Sequence, residues 1–161
     1  MNEFLLFIEK YRERLVKHAF YRVGNLEEAE DIVQDVFVKI YSQKLFCKME
    51  NQKAYLYKLT INACVDFIRK QKYKLRVHAQ LEAQNQETAE NEAIHNLRYE
   101  EEFKRINNIL KTLPIKQAEV VRYRIIDELS FKEIADIIGK PESTIKSRFQ
   151  YAINKLKNYE L

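Results

Sequence analysis

The last predicted helix of the chain carries hydroxyl, amide, basic and aromatic side chains, a combination that suits contact with duplex DNA. Hydroxyl groups and the backbone amides at a helix N-terminus bind phosphate oxygens, whereas Lys, Arg and Gln can hydrogen-bond base edges in the major groove. The outward side of this helix is predicted to present Ser143, Thr144, Lys146, Ser147, Arg148, Gln150 and Tyr151. A helical hairpin with a solvated basic face fits the same spacing equally well, so both interpretations stay open.

The residues before this helix predict the turn that would position it. Ser130 and Glu133 have the spacing of a capping box, which indicates the start of a short helix. Gly139 ends that helix, and Pro141 is placed to begin the next one, where its missing amide hydrogen does no harm. A short capped helix, a glycine turn and a longer helix together predict a helix-turn-helix.

A long helix predicted over residues 51–73 carries side chains that suit single-stranded DNA. Four of them lie at helical spacing and therefore share one face: Tyr55, Lys58, Asn62 and Arg69. An aromatic ring can stack on an exposed base, an amide can hydrogen-bond its edge, and cations can hold the phosphates. Lys70 and Lys72 extend the cationic track, although cations near a helix C-terminus also stabilise the helix without any ligand.

Apolar residues recur with helical spacing in most of the chain and predict the helices that support these faces. The predicted inward residues are Phe4, Ile8, Tyr11, Leu15, Ala19, Leu26, Ala29, Val33, Val36, Ile40, Ala54, Tyr57, Ile61, Cys64, Ile68, Phe103, Ile106, Leu110, Leu113, Ala118, Val121, Ile125, Ile134, Ala135, Ile138, Ile145, Phe149, Ala152 and Leu156. Only 2 Gly and 2 Pro occur among 161 residues, too few for the tight turns of a sandwich or barrel. The sequence therefore predicts an all-α protein of two small helical domains.

The charge is distributed unevenly, which suggests where the domains divide. Residues 1–76 carry a net charge of +5, residues 77–110 a net charge of −4, and residues 111–161 a net charge of +3. We therefore predict two modules that face polyanions, at residues 1–76 and 103–161, joined by an acidic linker at residues 77–102. The linker has few bulky apolar residues to order it, although its Ala, Glu and Gln content also fits a solvated helix.

Several classes of protein are excluded by what the sequence does not contain. No apolar run is long enough for a transmembrane helix, and no signal peptide is visible, so a cytoplasmic protein is expected. Cys47 and Cys64 have no metal-ligand spacing with His18, His78 or His95, so neither a disulfide nor a metal site is predicted. No catalytic motif or phosphate-binding loop occurs, so we expect a non-enzyme without a cofactor.

Five stretches of the second basic module form a recognisable pattern, at residues 113–114, 120–123, 129–135, 143–148 and 152–156. Together they resemble region four of the sigma-70 family of bacterial RNA polymerase initiation factors. Upstream, residues 28–37 resemble region 2.2, and residues 55–62 with Asp66 and Arg69 resemble regions 2.3 and 2.4. Regions two and four without the others are typical of the extracytoplasmic-function (ECF) group, so the resemblance covers nearly the whole chain outside the linker.

The resemblance implies a role for each surface. The face of the long helix would open and capture the minus-ten promoter element, and the helix-turn-helix, including Lys132, would bind the minus-thirty-five element. A polar face on the second helix would bind the clamp helices of the polymerase large subunit through Asp31, Gln34, Asp35 and Lys39. Periodicity alone leaves open a charged surface helix without a partner, and it favours Phe37 as a core residue rather than a contact.

The expected function is therefore that of an ECF sigma factor, which binds core RNA polymerase and promoter DNA, with an anti-sigma factor as a further partner and no membrane insertion. The acidic linker would occupy the basic channel of the polymerase as an RNA-like peptide, although a plain flexible tether fits its composition too. A stand-alone helix-turn-helix repressor that binds an operator as a dimer would explain residues 113–161 and leave the first module unexplained. An adaptor whose helical faces bind only protein is the third hypothesis.

Overall fold

The computed structural model describes residues 2–48, 50–81 and 97–158, and its regular elements there are all helical. The helices are α1 (Asn2–Val23), α2 (Leu26–Ser42), α3 (Gln52–Leu81), α4 (Leu97–Leu110), α5 (Ile115–Val121), α6 (Phe131–Ile138) and α7 (Glu142–Lys157). A 3₁₀ turn lies at Phe46–Lys48 and a π-helical turn at Arg122–Ile126. The all-α prediction is therefore confirmed. None of the helices in these ranges combines the length and the apolar character needed to cross a membrane.

Helices α1, α2 and α3 pack against one another as a three-helix bundle. Between α1 and α2, Gly24 adopts a positive φ of 78°, and Asn25 caps α2 by accepting a hydrogen bond from the Glu28 amide at 3.0 Å. The predicted stripes supply the centre of this bundle, where the buried residues include Leu15, Ala19, Val33, Ile40 and Cys64. Phe37 is also buried, as expected of a core residue. Burial raises the pKa of the Cys64 thiol to about 11, whereas the Cys47 side chain lies outside the described residues.

Helix α3 continues to Leu81, whereas the apolar spacing predicts an end near Tyr73. The added residues include Lys, Leu, Arg, Ala and Gln, which favour a helix even where their side chains are exposed. Helix α4 begins at Leu97, so helices reach into the predicted linker from both sides. Residues 82–96, which hold most of the predicted linker, lie outside the described residues. The division at residues 76 and 103 stays a prediction.

The helix after Pro114 changes register at its π-helical turn. The apolar spacing predicts that Ile125 faces the core, but its side chain is 59% exposed. A π-helical turn holds more residues than an α-helical one and therefore rotates the side chains that follow. Tyr123 and Ile126 are buried instead, so the prediction for Ile125 is wrong.

Helices α6 and α7 form the predicted helix-turn-helix. The capping box is present, because Ser130 Oγ accepts a hydrogen bond from the Glu133 amide at 3.1 Å and Glu133 Oε1 accepts one from the Ser130 amide at 3.0 Å. Gly139 ends α6 in the left-handed conformation with a φ of 78°. Pro141 occupies the N-cap position of α7 rather than its first turn, since the helix begins at Glu142.

The two helical modules, residues 2–81 and 97–158, pack directly against each other. One cluster of buried apolar residues extends from α1, α2 and α3 into the π-helical turn, α6 and α7. Helix α6 packs on α3, and the Phe103 ring of α4 lies 5.3 Å from the Phe20 ring and 6.0 Å from the Tyr21 ring. The sequence predicts separate domains on a linker and contains no signal for this contact.

Candidate nucleic-acid interface

Helix α7 turns the predicted duplex-binding residues toward solvent, because Ile145 and Ala152 hold its other side in the core. Lys132 on α6 is exposed, as are five residues of α7, whereas the remaining two are half-buried. The exposed five are Ser143, Lys146, Ser147, Gln150 and Tyr151, and the half-buried two are Thr144 and Arg148. Lys146 Nζ lies 3.4 Å from Glu142 Oε1 in an exposed pair, which contributes little and leaves the cation available for a phosphate.

Helix α3 places the predicted single-strand residues on one side, away from the buried Leu56 and Tyr57. Tyr55 is half-buried, and the exposed members of the set are Lys58, Asn62, Arg69, Lys70 and Lys72. Thr60 belongs to the same buried side, and its hydroxyl donates a hydrogen bond to the Leu56 carbonyl oxygen at 2.8 Å. Stacking, hydrogen-bonding and cationic groups therefore follow one another along an open helix side, as single-stranded nucleic acid requires.

A cavity of about 550 Å³ opens beside the N-terminal end of this α3 face. Tyr55 and Lys58 line it together with Lys48, Asn51 and Asp136. Its volume lies in the range of pockets that bind small ligands. Helical spacing identifies Tyr55 and Lys58, but Lys48 and Asn51 precede the helix and Asp136 belongs to α6. Periodicity along one helix has no signal for these three residues.

Helix α2 exposes a polar face while its apolar residues enter the bundle. The exposed residues Asp31, Gln34, Asp35 and Lys39 are the four that the resemblance assigns to polymerase contact. An apolar groove of about 590 Å³ lies beside them, between α1 and α2. Val38 and Tyr41 line this groove and are 59% and 63% exposed. Polar side chains beside an exposed apolar groove are typical of a surface that binds another protein.

A buried polar cluster lies where the two modules meet. His18 Nδ1 on α1 donates a hydrogen bond to Asp127 Oδ2 at 2.7 Å, and both side chains are fully buried. Arg22 donates to the His18 carbonyl oxygen at 3.0 Å, and its Nη1 lies 3.9 Å from the same Asp127 oxygen. Burial and the Arg22 charge lower the pKa of His18 to about 4, against an opposing effect of Asp127. His18 is therefore neutral at pH 7.

From the sequence, no metal site is predicted at His18 and no other role is assigned to it. Its partner Asp127 lies 109 residues away, so spacing cannot reveal the pair. Among the described residues, no group of three or more His, Cys, Asp or Glu side chains is placed to hold a metal ion.

Comparison with known proteins distinguishes the three hypotheses. The family model of sigma-70 region 2 matches residues 7–73, and that of sigma-70 region 4 matches residues 109–158. The ECF RNA polymerase sigma factor SigW of Bacillus subtilis (strain 168) is 30% identical over 152 residues, which cover 88% of this chain and 80% of SigW. The chain belongs to the ECF family of RNA polymerase sigma factors. A sigma factor binds core RNA polymerase and directs it to promoter DNA, so the predicted function is confirmed.

Other relatives of this sigma factor match it over similar lengths. RNA polymerase sigma factor SigV of Bacillus subtilis (strain 168) is 29% identical over 153 residues, which cover 93% of this chain and 86% of SigV. The sigma factor RpoE from Bartonella quintana, crystallised with the anti-sigma factor NepR, has a TM-score of 0.67 at 21% identity, covering 98% of this chain and 96% of RpoE. CnrH, solved with the cytosolic domain of CnrY, has a TM-score of 0.65 at 21% identity, and the match covers 96% of this chain and 84% of CnrH. These two likenesses show a shared fold.

Proposed function

We propose that this sigma factor uses three separate surfaces: α2 binds core polymerase, α3 captures the minus-ten strand, and α7 binds the minus-thirty-five duplex. The observation that carries the proposal is the placement of the polar residues singled out on α2, α3 and α7. Most of them are exposed, and a core-facing side on each helix holds them there. The family models cover both modules, so each surface lies in a region that the family shares.

The minus-ten assignment is supported by the order of groups along α3. Tyr55 is half-buried and lines the cavity, which suits a ring that stacks against an unpaired base. Asn62 is exposed two turns later and has an amide that can hydrogen-bond a base edge. Arg69, Lys70 and Lys72 follow in the exposed second half of the helix, where their charges can hold successive phosphates.

The minus-thirty-five assignment is supported by the way α6 and Gly139 fix the start of α7. The capped α6 packs on α7, and the left-handed Gly139 lets the chain turn sharply between them. The first turns of α7 then face solvent with small hydroxyl residues and with Lys146 and Arg148. Such a helix can enter the major groove, where its hydroxyl and backbone amide groups contact phosphates and its longer side chains reach the base edges.

The polymerase assignment is supported by the neighbouring groove. Asp31, Gln34, Asp35 and Lys39 offer polar contacts, and the α1–α2 groove beside them offers apolar area that a stable protein interface also needs. RpoE was solved with the anti-sigma factor NepR, and CnrH was solved with the cytosolic domain of CnrY, so we also propose an anti-sigma factor as a partner of this chain. Because a sigma factor works with polymerase, we further propose that it acts in the cytoplasm and catalyses no reaction of its own.

Run-off transcription tests the proposal directly. Purified bacterial core polymerase is incubated with this protein on a library of genomic fragments, and the transcript starts are mapped. We expect starts that appear only when the protein is added and that share two upstream elements. No start above the level of core polymerase alone would overturn the proposal. Operator binding by a dimer that ignores polymerase would instead favour the repressor.

A further inference from the structure

Two pairs of side chains, each joining residues four positions apart, lie along the exposed side of α7. Lys146 Nζ and Glu142 Oε1 form the first pair at 3.4 Å, and further along the helix Gln150 Nε2 donates a hydrogen bond to Asn154 Oδ1 at 3.2 Å. Side chains of a helix tilt towards its N-terminus, so Asn154 reaches back to Gln150 from the following turn. Both amide side chains are exposed, so a ligand can contact them while they are paired.

The backbone that carries Gln150 is held in place by the core. Phe149 is half-buried, and its ring lies 5.4 Å from the Phe131 ring of α6. Ile145 is fully buried one turn earlier. These contacts leave Gln150 the freedom of its side chain, and the hydrogen bond to Asn154 restricts that freedom. Such a pair is weak in water, but it strengthens where a DNA groove excludes water.

The hydrogen bond to Asn154 decides what Gln150 can still offer to a base. A glutamine amide has two N–H donors and one carbonyl acceptor, and Asn154 uses one of the donors. The second donor and the carbonyl oxygen remain for a ligand. Adenine presents the complementary pattern in the major groove, because its N7 accepts a hydrogen bond and its N6 amino group donates one. Guanine presents two acceptors there, so one of them would face the Gln150 carbonyl oxygen.

Three neighbouring side chains of α7 discriminate less between bases. The hydroxyl groups of Ser143 and Ser147 can donate or accept, so each fits several base edges. Lys146 is a flexible cation that has donors alone and is attracted to any phosphate. Gln150 differs from all three because its donor and its acceptor are both committed to a defined arrangement.

We propose that Gln150 recognises an adenine of the minus-thirty-five duplex, and that Asn154 is the positioning residue that sets its amide for this base. The inference rests on the assignment of α7 to the duplex made above, and it adds a base and a residue outside the predicted set. Gln150 donates to adenine N7 and accepts from the N6 amino group, while Asn154 acts through Gln150. This contact gives sequence preference at one position, whereas the cations of α7 bind phosphates of any sequence.

The experiment uses the full chain in complex with bacterial core polymerase and a pool of promoter duplexes. The pool derives from a promoter mapped by run-off transcription, in which each position of the upstream element carries each of the four base pairs in turn. The bound duplexes are sequenced. We expect the parent to prefer A·T at one position about fivefold or more over the other pairs, as for a bidentate base contact.

Two substitutions of Gln150 test the base contact. Gln150→Ala should remove the A·T preference at that position and keep the preferences at the others. Gln150→Arg should change the preferred pair to G·C at the same position, since an arginine side chain donates to both guanine N7 and O6.

Asn154 is tested by the same preference, which a purely structural role would not change. Asn154→Leu removes the acceptor and should lower the A·T preference about twofold or more, the bias that a pair of this kind supplies. Asn154→Asp keeps an acceptor, so it should keep the preference while its charge weakens binding to every duplex. The matched control is Asn108→Leu on an exposed position of α4, which should keep the parent preference.

The outcomes distinguish this inference from the assignment of α7. If Gln150→Ala keeps every preference of the parent, or if the preference that depends on Gln150 is for another base pair, the adenine contact is wrong. If Asn154→Leu keeps the parent preference, or Asn154→Asp lowers it equally, the positioning role is wrong. If neither Gln150→Ala nor the double variant of Lys146→Ala and Arg148→Ala changes promoter selection or affinity, the α7 assignment is wrong and the inference fails with it.

Discussion

The buried His18–Asp127 pair predicts that the folded protein loses stability in mild acid. His18 is neutral in the folded chain, where burial first, and then Arg22, lower its pKa from 6.5 to about 4. In the unfolded chain the imidazole binds a proton near its ordinary pKa. The unfolded state therefore takes up more protons as the pH falls below 6.5, and the free energy of unfolding falls with it. The loss is complete only below pH 4.

The size of the effect follows from the shift in pKa. Each unit corresponds to about 1.4 kcal/mol, so His18 alone removes about 1.4 kcal/mol between pH 7.5 and pH 5.5, and about 2 kcal/mol by pH 5.0. Urea unfolding at four pH values between 7.5 and 5.0 measures the slope.

His18→Asn supplies the comparison, because its side-chain amide can still donate to Asp127 but does not titrate. We expect this variant to be less stable than the parent at pH 7.5, since it is smaller, yet to show a much flatter pH dependence. His78→Asn on the exposed part of α3 is the control and should keep the parent slope. A parent and a His18→Asn variant with equal slopes would refute the assignment of a neutral, buried His18.

Three further predictions concern the proposed surfaces. Asn62→Ala should leave core affinity unchanged and prevent promoter opening, because it removes only an exposed amide; unchanged permanganate reactivity of the minus-ten strand would contradict this. Lys146→Ala and Arg148→Ala should each weaken promoter binding by ~1–3 kcal/mol if the side chain contacts a base. If it contacts phosphate, the substitution should mainly reduce the dependence of promoter affinity on salt concentration. Unchanged affinity of the double variant at every salt concentration would exclude α7 as the duplex-binding helix. Asp35→Lys should weaken core binding by roughly 1–2 kcal/mol while keeping the melting temperature, since it reverses an exposed charge; a pull-down with full core affinity would exclude this α2 face.

Patterns among residues that are close in the sequence predict most of the helices. Contacts between helices that are far apart in the sequence have no such pattern, so they are not predicted. The Ser130–Glu133 capping box depends on neighbours three residues apart, so spacing alone identifies it. Ile125 was predicted wrongly because a five-residue π-helical turn changes the periodicity on which the prediction relied. The His18–Asp127 pair joins residues far apart in the chain, and only tertiary packing brings them together.

The packed arrangement affects the two proposed DNA faces differently. On α7, Lys146 and Gln150 are exposed while the modules are together, so contact with an intact duplex requires no separation. On α3, Lys58 and Asn62 are exposed as well, whereas Lys53 at its N-terminal end and Asn51 just before the helix have partners on α6. Duplex binding can therefore come first and hold the protein at the promoter at no cost in module separation.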